Sequence, residues 1–345
     1  FSSLTIAPGA QLTVNERIIN HAGLSGLILQ TDEDATASLL HFNTGIRATA
    51  ERLMSGEPYE WHMVSSPVGS QSIEDGFDDG NVYTWHEPAQ TWVGFQNTTL
   101  WPTWEDANPG NSFLAAKGYL AAYPHISSLA QSKSFTGALN EGPHHFSITR
   151  LAHPDDTYVG YNLAGNHYPS ALDWKANEGW ERSALQQTGE GESAGWSFWI
   201  WNPDAQQYGT YHSAQISNEG TLGTSRHIAP MQGFWVKAAE NGTMGMDNRV
   251  RTHSGQNWLK DHHSSPGVLR LALSSHAMPY RDEVILEFGH AHSGGGSGKM
   301  FSMHQEAPGL FLKNQEQKSS IGFYREPDGQ EPISLGLIVG RGGEY

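Results

Sequence analysis

The sequence predicts an all-β protein with a short β-solenoid-like N-terminal segment, a duplicated aromatic-rich β unit and a C-terminal β-sandwich. Three observations carry this expectation. Gly and Pro, 39 and 17 of them, cut the chain into pieces too short for helices with an apolar stripe every 3.6 residues. Between the breaks lie short runs of β-branched and aromatic residues, the composition of strands. Twelve Trp, 12 Tyr and 13 Phe then supply the large buried areas that thin β cores need in a chain with no cysteine. At 345 residues the chain exceeds what one core usually serves, so two or three structural units are expected.

Residues 1–56 hold the runs Leu4-Thr5-Ile6, Gln11-Leu12-Thr13-Val14, Leu27-Ile28-Leu29 and Ser38-Leu39-Leu40, parted by Pro8-Gly9, Gly23 and Gly26. Short strands at near-regular spacing suggest the rungs of a coil or a stack of hairpins. One turn of a coil cannot bury its own face, so this segment is expected to pack on the next part of the chain or on rungs upstream.

Residues 57–252 are expected to form a pseudo-symmetric body of two copies, about 57–142 and 157–250. Trp61-His62-Met63-Val64 is echoed by Tyr161-Asn162-Leu163-Ala164. The stretch from Val82 to Trp92, with Trp85, Pro88 and Gln90, aligns with Phe198 to Tyr208, with Trp201, Pro203 and Gln206. Ala116-Lys117-Gly118-Tyr119 parallels Met231-Gln232-Gly233-Phe234. Trp85 to Gly118 spans 33 positions and Trp201 to Gly233 spans 32, so spacing is kept where strands must pair. The polar stretch from Lys175 to Gly195 reads as an insertion in the second copy, which belongs in a surface loop.

Residues 253–345 carry Val268–Leu273, Glu283–Phe288, Leu310–Leu312 and Ile333–Val339 between Gly, Ser and Pro, the composition of a β-sandwich. The last run is expected to pair with a strand outside this chain or to end the sheet.

Thirty-six acidic against 20 basic residues give a formal charge of −16, which repels phosphate backbones and argues against a nucleic-acid partner. The absence of Cys removes disulfides and thiolate metal sites without fixing a compartment. No apolar run reaches the roughly 20 residues of a membrane-spanning helix, and the start at Phe1 reads as a chain already processed or cut.

The stretch Gly160–Trp174, together with Ala116-Lys117-Gly118-Tyr119-Leu120, Lys133–Asn140 and Met231-Gln232-Gly233-Phe234, resembles the modules that precede the C-terminal sorting domain in secreted Bacteroidetes proteins exported by the type IX system. Where those modules commonly have Asn-Pro-Tyr-Pro, this chain has Asn166-His167-Tyr168-Pro169. The resemblance implies an extracellular, secreted or surface-attached protein whose neighbouring modules are catalytic or adhesive. It implies no activity for this chain.

Chemistry-bearing motifs are sparse. Gly294–Lys299 fails as a phosphate loop, because Met300 stands where a magnesium-binding hydroxyl is required, and is expected to be a flexible hairpin tip. Asp75, Asp78 and Asn81 offer oxygens to calcium, but Phe77 and His86 occupy ligand positions of the helix-loop-helix pattern, which favours an acidic turn without metal. His290 and His292 are expected on one side of a strand, with no third zinc ligand to be named. No Gly-x-Ser-x-Gly elbow is expected, and no cysteine nucleophile exists.

The tryptophans give the sharper proposal. Trp101, Trp104, Trp92 and Trp196 are candidate stacking platforms for sugar rings, whereas Trp85 and Trp201, which repeat between the copies, are expected in the core. The expected role is therefore a non-catalytic module for adhesion, assembly or spacing, joined to other surface proteins or to copies of itself through strand edges. A carbohydrate-binding module and an extracellular hydrolase are the alternatives.

Overall fold

A computed structural model describes residues 3–54, 60–77, 81–122, 131–155, 157–254, 267–274, 280–314, 317–325 and 332–339. It is mostly β, 48% strand and 9% helix, in several sheets of which two curl into half-barrels. Contacts divide the chain into two units, Phe1–Leu185 with His227–Trp258, and Gln186–Arg226 with Leu259–Tyr345.

In the first unit, Leu4–Ile6, Leu27–Leu29 and Arg47–Met54 pair in parallel, with Leu4 opposite Leu27 and Ile28 opposite Thr49. Gln11–Val14 pairs in parallel with Ser38–His41. Parallel neighbours so close in sequence require the chain to run along one sheet, cross to the other and return. Ile6, Leu27, Leu29, Leu39, Ala48 and Ala50 fill the space inside. Strand Gln131–Ala138 then adds antiparallel to Arg47–Met54 over its whole length. Phe135 from that strand packs edge-on against Phe113 and is tilted against Phe77, so the coil shares its core with segments later in the chain.

Next to the coil, four antiparallel strands take the order His62–Val64, Tyr119–Ala122, Asn81–His86, Thr91–Gly94. The hairpin Asn81–Gly94 places Trp85 opposite Trp92, with the rings 5.4 Å apart edge to face. Its turn, Glu87–Ala89, closes on Gln90 in the left-handed region at φ 46°. The Glu87 carboxylate is buried and accepts the N–H groups of Leu151 and Gly160 at 3.2 and 2.8 Å. That fixes the chain between the two halves of this unit. Later, Tyr161–Gly165 pairs antiparallel with Gly233–Lys237.

The two strand pairs exchange contacts reciprocally. Ser65 N–H donates to Met231 O at 2.9 Å, and Gly165 N–H donates to Ala116 O at 2.9 Å. Val64 bridges Gln232 as Ala164 bridges Lys117. Ala116 and Met231 both take positive φ, 61° and 60°. A Cβ on Gly118 would run into the Ala164 carbonyl, so close approach requires glycine there, and one on Gly233 would stand 3.1 Å from Met63 backbone, a tight contact that favours glycine. The buried Arg251 guanidinium ties the coil to this body, donating to Leu39 O, His41 O and Ser170 Oγ at 3.0, 2.7 and 3.1 Å.

In the second unit, Gly195–Asn202 and Gln207–His212 form a hairpin with Trp201 opposite Tyr208, rings 5.1 Å apart, and Gln206 at φ 52°. The other layer is a sheet ordered Val268–Ser274, Arg281–Phe288, Gln317–Tyr324, Gly309–Asn314, Ser334–Ile338, with Gly296–Gly298 beside Gln317–Tyr324. Arg281–Phe288 and Gln317–Tyr324 run parallel. Ile285, Ile321 and Phe323 form one buried cluster of this sheet, and Val284, Leu286 and Leu312 form another. The hairpin joins this layer through Ser320 Oγ to Thr210 Oγ1 at 3.1 Å and Trp199 Nε1 to Gly298 O at 3.0 Å.

Contacts divide the chain at Trp258, near the expected boundary at 252/253, and also assign residues 186–226 to the unit that holds the C-terminal sheet. An apolar sheet face needs a covering layer, and residues 186–226, from within the expected second copy, contribute Ala214 to the cluster of Ile285, Ile321 and Phe323. The polar stretch 175–195 also differs from a plain surface loop. Trp180–Glu181 pairs with Gly242–Met246, and Gln187–Thr188 pairs with Gly195–Asn202, which satisfies its backbone in sheet edges. Ser334–Ile338 ends its sheet among the described residues.

Candidate functional site: an exposed tryptophan on a stiffened loop

The loop between Thr91–Gly94 and the short helix Trp104–Ala107 presents Trp101 and Leu100 to solvent, 71% and 74% exposed. Large apolar side chains standing out together at a loop tip keep apolar surface in unfavourable contact with water, a cost that a covering partner relieves. The loop holds them firmly. The Asn97 amide donates to Leu100 O and Pro102 O, both at 2.9 Å, and accepts Leu100 N–H at 3.1 Å. Trp104 N–H donates to Asn97 O at 2.7 Å, and Thr103 and Asp106 close a capping box on the helix. The Trp101–Pro102 peptide is cis. On its protein side the Trp101 ring meets the edge of His86 at 5.8 Å.

The other three tryptophans differ. Trp104 is 3% exposed, donates its indole N–H to Gly110 O at 2.9 Å and packs against Phe95 and Tyr119. That corrects the expectation of a sugar platform there: the capped helical turn rotates Trp104 inward beside Trp101. Trp92 is half-buried in an edge-to-face cluster with Trp85 and Trp235. Trp196 lies in the second unit, half-buried opposite Gln187. Trp101 is thus the fully displayed member of the expected set. Trp104→Ala is expected to cost about 3–5 kcal/mol of stability, as for a buried aromatic truncated to a cavity, while Trp101→Ala leaves the chemical denaturation midpoint unchanged.

Other sequence expectations fall in different places. Asp75 is exposed on a helical turn, Ile73–Phe77, and Asn81 opens a strand opposite Ala122; Asp78 lies outside the described residues. Among the described residues no group of three or more His, Asp or Glu is placed to hold a metal ion. His290 and His292 do not share a strand face. The strand ends at Phe288 and the chain bends, burying His290 and exposing His292. Gly294–Lys299 is not a free hairpin tip, because Gly296–Gly298 is a paired strand and Lys299 makes a buried ion pair with Asp282. The Gly-x-Ser-x-Gly spacing is present after all, as Gly191-Glu192-Ser193-Ala194-Gly195, but on a 3-10 turn that leads into a strand and not into a helix.

The chain belongs to the family of DUF8693, a domain of unknown function, whose model matches residues 1–267. No curated protein and no solved structure matches it.

Proposed function

We propose that this chain is a binding module of a secreted or surface-displayed bacterial protein, of the kind that accompanies type IX sorting domains, and that it contacts polysaccharide through the Leu100–Trp101 loop. The observation that carries the reading is an indole 71% exposed on a loop whose backbone is pinned by Asn97. A rigid aromatic face gives up little conformational freedom when a sugar ring stacks on it, so its contact area converts efficiently into affinity. Thr98, Thr99 and Glu105, exposed around it, offer hydroxyl and carboxylate partners to sugar hydroxyls.

The same reading treats the coil of residues 1–56 as a solenoid-like opening, the two aromatic hairpins as copies of one unit and the C-terminal layers as a sandwich. It is supported by the parallel registers of the opening, by the matched pairs Trp85–Trp92 and Trp201–Tyr208, and by the matched positive φ at Gln90 and Gln206. Polysaccharide pull-down of the intact chain is the test. Binding is expected to fall at least about tenfold in Trp101→Ala, the loss of one good stacking contact, with the melting temperature unchanged. Equal retention of wild type and variant would end the reading.

A second reading, association of copies through a strand edge, rests on Ser334–Ile338, where Leu335 and Leu337 are 48% and 51% exposed on the last strand of the sheet. Light scattering of the intact chain is expected to show dimers that Leu335→Lys with Leu337→Lys converts to monomers; a wild type monomeric at high concentration rules it out.

A further inference from the structure

The Gly-x-Ser-x-Gly stretch sits on a one-turn 3-10 segment, Gly191–Ser193, between the strands Gln187–Thr188 and Gly195–Asn202. Around Ser193 the second unit assembles a nucleophile, a base and a carboxylate. Ser193 Oγ lies 3.2 Å from His290 Nδ1, and His290 Nε2 lies 3.1 Å from Glu287 Oε2. All three residues are buried. We propose that Ser193 is an activated nucleophile and that the cleft it lines hydrolyses small carboxylic esters of polar alcohols.

The tautomer is set by the partners. Glu287 also accepts the N–H groups of Ile216 and Ser217, at 3.0 and 2.6 Å, so its carboxylate is held as an acceptor. His290 must then carry its proton on Nε2, which leaves the Nδ1 lone pair facing the Ser193 hydroxyl. The ring is held flat against Phe323, 4.2 Å between centroids and 21° between planes. This is the division of labour of a serine triad: the carboxylate orients, the imidazole accepts a proton, the hydroxyl attacks. The strand-to-helix setting of the familiar elbow is absent, so the likeness is one of roles and not of fold.

Ser193 opens on a cavity of about 470 Å³, within the size range of small-molecule sites. Thr188, Glu190, Ser293 and Gln317 line it, and these hydroxyl, carboxylate and amide groups suit a sugar-like alcohol better than a lipid. Its wall depends on two glycines in contact. Gly189 and Gly295 take φ of +83° and +88°, a Cβ on Gly295 would stand 2.8 Å from Gly189 Cα, and one on Gly189 would run into the Ser193 carbonyl. A buried hydrogen bond with only a packing role needs neither this opening nor these approaches.

In the first half of the reaction, Ser193 Oγ bonds to the ester carbonyl carbon while its proton passes to His290 Nδ1. The tetrahedral adduct expels the alcohol, which leaves with that proton, and Ser193 is acylated. Water then attacks the acyl carbon, giving its proton to Nδ1. The acyl–Oγ bond breaks, Ser193 recovers the proton, and a carboxylic acid departs. Glu287 is a positioning residue throughout. Ser193 lies within the residues matched by the family model, whereas Glu287 and His290 lie beyond them.

The test treats the intact chain with diisopropyl fluorophosphate, maps the adduct by mass spectrometry, and tracks p-nitrophenyl acetate turnover across pH. One adduct on Ser193 is expected. Ser193→Ala should abolish it and lower turnover at least about 100-fold, the scale of losing a triad nucleophile, with an unchanged circular dichroism spectrum. Glu287→Gln should slow labelling at least about tenfold and displace its pH profile to lower pH, and Glu287→Asp should restore part of the rate. A folded wild type that gains no adduct on Ser193 overturns the proposal, as does an adduct formed at the same rate and pH profile in Glu287→Gln.

Discussion

Lys299→Ala is expected to destabilise the protein by about 3–5 kcal/mol, the range for breaking a buried ion pair from one side. The Lys299 ammonium and the Asp282 carboxylate are both buried and in direct contact, between strands that also hold the Arg270–Glu283 pair. Burial lowers the pKa of the lysine and raises that of the aspartate, so each charge persists because the other faces it. Asp282 also accepts Leu310 N–H at 2.6 Å and Glu283 N–H at 2.7 Å, which fixes its carboxylate in place when the cation is removed. Lys299→Met, which keeps the volume, should cost nearly as much, and adding Asp282→Asn, which removes the unpaired charge but keeps an acceptor for a backbone N–H, should recover part of the loss. Urea unfolding at neutral pH measures all three. A shift under about 1 kcal/mol for Lys299→Ala would show that the pair is dispensable.

Acid should unfold the protein well before its carboxylates titrate. Burial lowers His41 to about 4 and His212 to about 3, and it holds His167 well below 6.5. The geometry agrees at His212, whose Nδ1 accepts Ala214 N–H at 3.1 Å while Nε2 lies 2.9 Å from Thr188 Oγ1, an arrangement of the neutral ring. These groups bind protons in the unfolded chain below about pH 6.5 but not in the native one. Their effect is absent above that pH. Below it, stability falls by about 1.4 kcal/mol per pH unit for each histidine, until the pH reaches the folded-state value. Denaturant titrations at pH 7, 6 and 5 should show this slope, and His41→Leu should flatten it by one proton's worth. An unchanged slope in that variant would mean that His41 is not neutral in the native state.

Legibility in the sequence depends on range. Short strands and turns are local, so the Leu4, Leu27 and Ser38 runs and the two Trp hairpins are legible from alternation and punctuation. The left-handed residues Gln90 and Gln206, Ala116 and Met231 are not glycines, and only their matching positions mark them. Trp101 and Trp104 share a polar, Pro-containing loop, and nothing in composition says that a capped helical turn sends one outward and the other inward. The layer formed by residues 186–226 is illegible because it is decided by which apolar faces need covering at long range. Ser193 and His290 are 97 positions apart, and a triad is defined in space. Its one local trace is the Gly191–Gly195 spacing, which without the distant histidine and carboxylate is only a glycine-flanked serine.

The reciprocal seating of Gly118 beside Ala164 and of Gly233 beside Met63 has a consequence for a chain cut in two. Severing the backbone between Ile148 and Gly160 leaves each fragment with a socket that its counterpart was shaped to fill, and with no spare copy of its own. Such pieces are complementary parts, suited to reassembly after mixing, and each half serves as the template on which the other closes.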